Sequence, residues 1–240
     1  MKFLLNERNT QNLFSIAKNA GAGVVGVADL SLLKDLHTYS VPMNKFSYGI
    51  SIGVPLPNFA VEMIEVDNPG VLYAHAYHVA NTLIDIILLR IAGWITSEGY
   101  LALQIPASYR ITKLAGHISH RAIAHAAGIG WIGRNGSLIN PIYGPRLRLG
   151  TILTNMPLQP GKPMKNQCGN CRICIDSCPS GALKYAEFEY YPKKREDILD
   201  AEKCSARLDE MKDLLSKQSY AATVCGICIK VCPIGKKIQV

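Results

Sequence analysis

Cysteine is missing from the first 167 of the 240 residues and then occurs eight times. That distribution excludes a disulfide framework running through the whole chain, and the length excludes a miniature scaffold stapled for want of a core. Acidic residues are absent between Gly99 and Ile175, a stretch that carries Arg110, Lys113, Arg121, Arg134, Arg146, Arg148, Lys162, Lys165 and Arg172. Something anionic is expected against it. Charged residues make up only 18% of the chain and hydrophobic ones 48%, which excludes a disordered protein. A long unbroken hydrophobic run is also lacking. The stretch Leu83 to Ile95 is interrupted by Asp85 and Arg90 and is shorter than the roughly 20 residues that cross a bilayer, so no membrane partner is expected. The start, MKFLLNERNT, offers one lysine and a three-residue apolar run before Asn6, too little for a secretory segment, and the expected location is cytoplasmic.

What is present reads as a mixture of helices and strands. Asn9 to Ala20 has a helical pattern, and the valine-rich Val24 to Val27 reads as a buried strand. Tyr48 to Val54 reads as a second strand, closed by Pro55 and Pro57. Pro69-Gly70 turns the chain into a long apolar helix of about Val71 to Ser97. A short helix of about Ser119 to Ala127 leads into a glycine-rich loop from Gly128 to Gly136, and Arg148 to Thr154 reads as a strand. The expected class is α+β. Pro157 to Lys165, with three prolines, reads as a linker, which places one domain at 1–160 and a cysteine-rich one at 161–240.

Cys168, Cys171, Cys174 and Cys178-Pro179 spell C-x2-C-x2-C-x3-C-P, the run that holds a 4Fe-4S cluster in bacterial ferredoxins. The fourth cysteine of such a run serves a second cluster, so a second set is required. Cys225, Cys228 and Cys232-Pro233 supply it, with Cys204 as the displaced first ligand. The crossed pattern assigns Cys168, Cys171, Cys174 and Cys232 to one cluster and Cys204, Cys225, Cys228 and Cys178 to the other. Zinc and disulfides are the competing uses. Zinc leaves the third cysteine of each close group and the proline after each last one without a purpose, and disulfides conflict with the missing secretory segment.

Two literal G-x-G-x-x-G matches occur, at Gly21/Gly23/Gly26 and Gly128/Gly130/Gly133. A dinucleotide fingerprint needs a strand before it and a helix after it. Helical patterns precede both matches, and Asn135 to Pro141 reads as loop, so a dinucleotide site is not expected.

The segment from His120-Arg121-Ala122 through Ala127-Gly128-Ile129-Gly130-Trp131-Ile132-Gly133-Arg134-Asn135-Gly136, then Leu138-Ile139-Asn140-Pro141 and Arg148-Leu149-Gly150, followed by two ferredoxin motifs, resembles the epoxyqueuosine reductase family. More distantly it is similar to reductive dehalogenases. The resemblance implies a nitroreductase-like domain holding cobalamin in a base-off state, followed by a ferredoxin-like domain whose two 4Fe-4S clusters deliver electrons to cobalt. It places Gly128, Gly130, Trp131, Gly133, Arg134, Asn135 and Arg148 along the corrinoid, and implies an electron donor such as a ferredoxin or flavodoxin.

The sequence also departs from that family. The resemblance puts Leu114 where the family carries the carboxylic acid regarded as its proton donor, and Arg134 where the family has lysine. His117 and His120 are the candidates to replace the acid, with Tyr109 behind them. A packing role for one of His120 and His125 and a solvated face for the other is the competing reading. The chain ends soon after the second motif, without the helical-repeat domain by which the full-length reductases grip tRNA, which argues against a tRNA substrate. The expectation is a corrinoid-dependent iron–sulfur reductase of an unidentified substrate, with a small-molecule or corrinoid ligand. The alternative is a non-catalytic electron carrier or corrinoid-handling protein that works with a partner.

Overall fold

Helix α1 (Lys2–Asn19) ends because Gly21, at φ 104°, can take a left-handed conformation that other residues resist. The Gly21 amide then reaches the Lys18 carbonyl and the Ala22 amide reaches that of Ala17, each at 3.0 Å, a closed Schellman turn. The computed structural model describes residues 2–218, 220 and 222–236. After α1 come β1 (Val24–Asp29), two short 3-10 turns (Leu30–Leu33 and Met43–Lys45), β2 (Tyr48–Pro55), α2 (Asn58–Glu62), α3 (Val71–Ser97) and β3 (Ala102–Ile105). Then follow α4 (His120–Ala126), β4 (Trp131–Ile132), β5 (Leu138–Ile139), β6 (Leu147–Thr154), α5 (Ile173–Asp176), a 3-10 turn (Arg195–Asp197), α6 (Ala201–Lys217) and α7 (Ile227–Lys230).

The elements group into two compact units, and these are not two consecutive segments. The first comprises Met1–Val54, Asn81–Gly130 and Arg148–Met164; the second comprises Pro55–Ala80, Trp131–Leu147 and Lys165–Val240. The composition of the chain suggests a single boundary near residue 160. Arg146 shows one reason for the different grouping: its fully buried guanidinium donates to Asn58 Oδ1 at 2.7 Å, to Glu62 Oε1 at 2.6 Å and to the Lys230 carbonyl at 3.2 Å. Contacts between residues so far apart in the chain leave no mark on local composition. Arg146→Ala is expected to cost about 3 kcal/mol, because three acceptors lose a buried cation together. A urea-denaturation shift below about 1 kcal/mol would contradict this.

The first unit is built on a four-stranded sheet of order β1-β2-β6-β3. β1 runs antiparallel to β2, pairing Val24 with Gly53 and Asp29 with Tyr48, and β3 runs antiparallel to β6, pairing Ala102 with Thr154. α4 starts at Ser119, whose hydroxyl accepts from the Ala122 amide at 3.3 Å, and lies against β1. That approach depends on Gly26: a Cβ there would stand 2.9 Å from the Ala127 carbonyl oxygen and 2.9 Å from the Ile129 side chain. By length and composition α3 is apolar enough to cross a membrane, a finding the interrupted run at Leu83 to Ile95 did not suggest. Ile84, Ile87, Leu88, Ile91 and Ile95 of this helix are buried, Leu72, Val79, Ile86 and Leu89 are exposed, and Asp85 accepts the Ala107 amide at 2.9 Å.

In the second unit β4 and β5 form an antiparallel pair, with Trp131 opposite Ile139 and Ile132 opposite Leu138. The loop read after Gly133 is thus a small hairpin whose tip is 133–137. α6 is capped by Asp200, which accepts the Lys203 amide at 3.1 Å, and α5 packs against α7.

Candidate metal centre

All eight cysteines fall in the second unit, each is a free thiol, and each is partly buried. Disulfides are thereby set aside. Cys174 lies on α5, Cys204 in the first turn of α6 and Cys228 on α7. Asn166 fixes the first loop by accepting the Cys168 amide at 2.8 Å, and the Cys171 amide turns back to the Cys168 carbonyl at 3.0 Å.

Electrostatics show which thiols share a neighbourhood. Burial pushes the Cys174 thiol up to about 11, with further contributions from Cys168, Cys232 and Cys171. Burial also raises Cys232, helped by Cys168 and Cys171 and opposed by a backbone hydrogen bond at Ile234 and by Arg146. Cys228 is raised by burial first, then by Cys225, Cys204, Cys174 and Cys178. Cys168, Cys171, Cys174 and Cys232 thus lie near one another, and Cys225, Cys204, Cys174 and Cys178 all lie near Cys228. Burial acts on Cys178 too, but hydrogen bonds from the Ser180 hydroxyl and from the backbone of Leu183, Ala182 and Ser180 outweigh it and hold its thiol below the usual range. Such N–H···S contacts stabilise a ligating thiolate.

As thiolates, the cysteines of either group would concentrate negative charge that a cationic centre offsets. Among the described residues, no three His, Cys, Asp or Glu side chains converge closely enough to hold one metal ion. A zinc ion with bonds of about 2.3 Å would draw four sulfurs to within roughly 3.8 Å of one another. The donor set, four thiolates to a group at ferredoxin spacing, fits a four-iron cube.

The tip of the β4–β5 hairpin reaches both cysteine groups. The Arg134 guanidinium, from a residue only 6% exposed, donates to the Gly169 carbonyl at 2.5 Å and the Ala186 carbonyl at 2.6 Å. It also donates to the Tyr185 hydroxyl at 3.2 Å and lies 4.0 Å from that ring's centroid. Next to it, Asn135 donates to the carbonyl of Cys228 at 3.2 Å. Asn166 donates back to the Ile132 carbonyl at 2.9 Å. The resemblance placed Arg134 and Asn135 along a corrinoid; in the structure their hydrogen bonds go to the cysteine loops. Asn166, Tyr185 and Arg146 were missed in the sequence. Only Asn166, two residues before a ligand, carries a local signal, that of an Asx turn.

The remaining candidates lie in the first unit, apart from Trp131 and Gly133, which belong to the second. Gly128 closes α4 as Gly21 closes α1: at φ 73° its amide meets the His125 carbonyl at 3.0 Å and the Ile129 amide meets that of Ala124 at 3.1 Å. Both G-x-G-x-x-G matches thus begin where a helix stops. Arg148 donates through Nε to Asn81 Oδ1 at 2.9 Å. His120 donates through Nε2 to the Pro106 carbonyl at 3.0 Å and accepts at Nδ1 from the Thr151 hydroxyl at 2.8 Å. With both nitrogens engaged, it is set as a neutral imidazole. His125 is buried and donates to the Met164 carbonyl at 3.0 Å; burial lowers its pKa against that bond. His125 is thus buried, while His120 is half-buried. His117 is different: its Nδ1 donates to the Tyr39 carbonyl at 3.0 Å and its ring stacks on Tyr109, centroids 5.9 Å apart. Leu114 sits in the tight turn closed by Thr112 and Ala115, its amide 3.3 Å from Thr112 Oγ1.

Burial lowers the pKa of His120 from 6.5 to about 4; the Pro106 carbonyl opposes this, and Arg148 and Arg121 reinforce it. Between those values the unfolded chain binds a proton that the folded chain refuses. Stability is therefore complete above pH 6.5 and falls as pH drops toward 4. The melting temperature is expected to fall from pH 7.5 to pH 5.5, and to fall less in His120→Gln. An equal fall in both proteins would contradict the assignment.

Comparison with known proteins follows the same division. Residues 167–235 match the family described as 4Fe-4S double cluster binding domain. The chain is 36% identical over 148 residues to an epoxyqueuosine reductase of Bacillus cereus, covering 58% of this chain and 36% of that one. A second epoxyqueuosine reductase, from Gloeobacter violaceus, is 33% identical over 131 residues, covering 52% of this chain and 38% of that one. This chain is related by sequence to the epoxyqueuosine reductases. The matched part spans little more than a third of those relatives. Among solved structures, the catabolic reductive dehalogenase NpRdhA in complex with 3-bromo-4-hydroxybenzoic acid has a TM-score of 0.78 at 20% identity, covering 98% of this chain and 33% of that one. An epoxyqueuosine reductase with a tRNA-Tyr epoxyqueuosine-modified stem loop has a TM-score of 0.60 at 22% identity, covering 96% and 66%. These structures share the fold.

Proposed function

We propose that this chain is an iron–sulfur redox protein that passes electrons from two 4Fe-4S clusters to a bound corrinoid, for the reduction of a substrate. The first unit is on this reading a nitroreductase-like cofactor domain, and eight free thiols suit a cytoplasmic, reducing setting. The observation that carries the corrinoid is Trp131. Its side chain is 2% exposed, yet its indole N–H has no hydrogen-bond partner among the described residues. A buried donor left unpaired costs about 1–3 kcal/mol, and an acceptor on a ligand removes that cost. The residue stands in the glycine-rich loop whose tip holds the cluster-binding segments. One reductive dehalogenase of the same fold is described as B12-dependent. The corrinoid would supply a redox-active cobalt; Gly128, Gly130, Trp131, Gly133 and Arg148 would hold it. An electron donor of the ferredoxin or flavodoxin class completes the path.

The test is retention of hydroxocobalamin. Cobalt should remain with the anaerobic protein after desalting, and Gly130→Leu should abolish retention while leaving the iron content unchanged. Failure of the unaltered protein to retain cobalt overturns the corrinoid reading. The leucine at position 114 and the engaged nitrogens of His120 favour a second reading, a carrier without chemistry of its own. That reading predicts corrinoid reduction with no turnover of any substrate.

A further inference from the structure

We infer that the tip of the β4–β5 hairpin is a shared clamp in which Arg134 positions and tunes the cluster of Cys168, Cys171, Cys174 and Cys232, while Asn135 positions the other. The inference rests on the two-cluster domain and is independent of the corrinoid.

Arg134 donates to the carbonyl of Gly169, which stands between the ligands Cys168 and Cys171. Asn166 ties the same loop to the base of the hairpin, through the Cys168 amide on one side and the Ile132 carbonyl on the other. Asn135 donates to the carbonyl of Cys228, itself a ligand in the second group. Adjacent residues thus hold different clusters. The guanidinium is buried, and among the described residues it makes no ion pair. The Tyr185 hydroxyl that accepts from it donates in turn to exposed Glu187 at 3.1 Å. One further N–H, at Arg134 Nε, is buried without a partner among the described residues. A fixed positive charge beside a cluster favours its reduced, more negative form and raises its potential. Asn135 carries no charge, so its contribution to the second cluster is geometric.

The experiment is an anaerobic redox titration of the whole chain followed by EPR, with the two waves assigned from Cys178→Ser, which lacks a ligand of the second group. Arg134→Gln should lower the potential of the first cluster enough to change its reduced-to-oxidised ratio at least tenfold, about 59 mV for one electron, and leave the second wave in place. Arg134→Lys keeps the charge and should restore most of that potential. If Arg134→Gln loses iron, the loss should be confined to the first cluster and recovered in Arg134→Lys. Asn135→Ala should disturb the second cluster alone. Equal effects on both waves, or full iron content with no shift in either, overturns the inference, whereas absence of iron from the unaltered protein would overturn the two-cluster reading instead.

Discussion

Anaerobically prepared protein is expected to carry about eight irons and eight acid-labile sulfides per chain. The arithmetic is that of ligands: eight cysteines fill two cubes of four, with none to spare. Replacing Cys178 by serine should remove about half of that iron. The half lost should be the cluster of Cys204, Cys225 and Cys228, although Cys178 belongs by sequence to the first motif. The reason is the crossed ligation of such paired motifs. Cys178 and Cys174 both contribute to the electrostatic field at Cys228, and the sulfur of Cys178 is held by hydrogen bonds from Ser180, Leu183 and Ala182 that favour a thiolate. Iron analysis with EPR of the surviving cluster reads the outcome. Loss of the first motif's cluster alone would contradict the crossed pairing, and stoichiometric zinc without sulfide would contradict the centre altogether.

The second large effect concerns Leu114. Reduction of epoxyqueuosine in tRNA by the unaltered chain, supplied with cobalamin and a strong reductant, is expected to be slow. Leu114→Asp is expected to raise it about 100 to 10,000-fold, the usual contribution of a general acid. The turn formed by Thr112 and Ala115 presents position 114 through its backbone, so the substitution leaves the fold intact. We propose His117 as the histidine that supplies part of the missing acid. Its Nδ1 is committed to the Tyr39 carbonyl, which leaves Nε2 as the nitrogen for a substrate to meet. His120 has no such nitrogen, since Pro106 and Thr151 use both. Any residual rate should fall in His117→Ala and persist in His120→Gln, with clusters and corrinoid retained. Turnover by the unaltered chain that Leu114→Asp does not raise would remove Leu114 from the account.

Much of this was legible in the sequence, for reasons that differ from element to element. α3 has the range its pattern predicts, Val71 to Ser97, because Pro69-Gly70 starts it and Gly99 stops it. Each of the two glycine motifs opens on the glycine that ends a helix, whereas a dinucleotide fingerprint opens after a strand. β3 escaped notice because four residues, Ala102 to Ile105, are too few to show a period of two. β4 and β5 have two residues each, and nothing local separates such a hairpin from a loop. α6 shows in the sequence only through Asp200 and the amphipathic run after it, a helix start set among cysteines whose spacing follows the metal rather than a helical period. The side-chain partners of Arg134, Asn135 and Arg146 had no sequence signal, because each reaches a carbonyl or an acceptor far along the chain. Spacing named the metal ligands; it was silent about what holds them.

Electron transfer from the clusters to cobalt is the centre of the account, and a single measurement addresses it. The protein is reduced with dithionite, freed of excess reductant by anaerobic desalting, and mixed with hydroxocobalamin while the absorbance of clusters and corrinoid is followed together. The account predicts that the cobalt spectrum changes as the clusters reoxidise, electron for electron, and that the cobalt then stays with the protein on a second desalting. Clusters that remain reduced beside an unchanged corrinoid, with no cobalt retained, would contradict it.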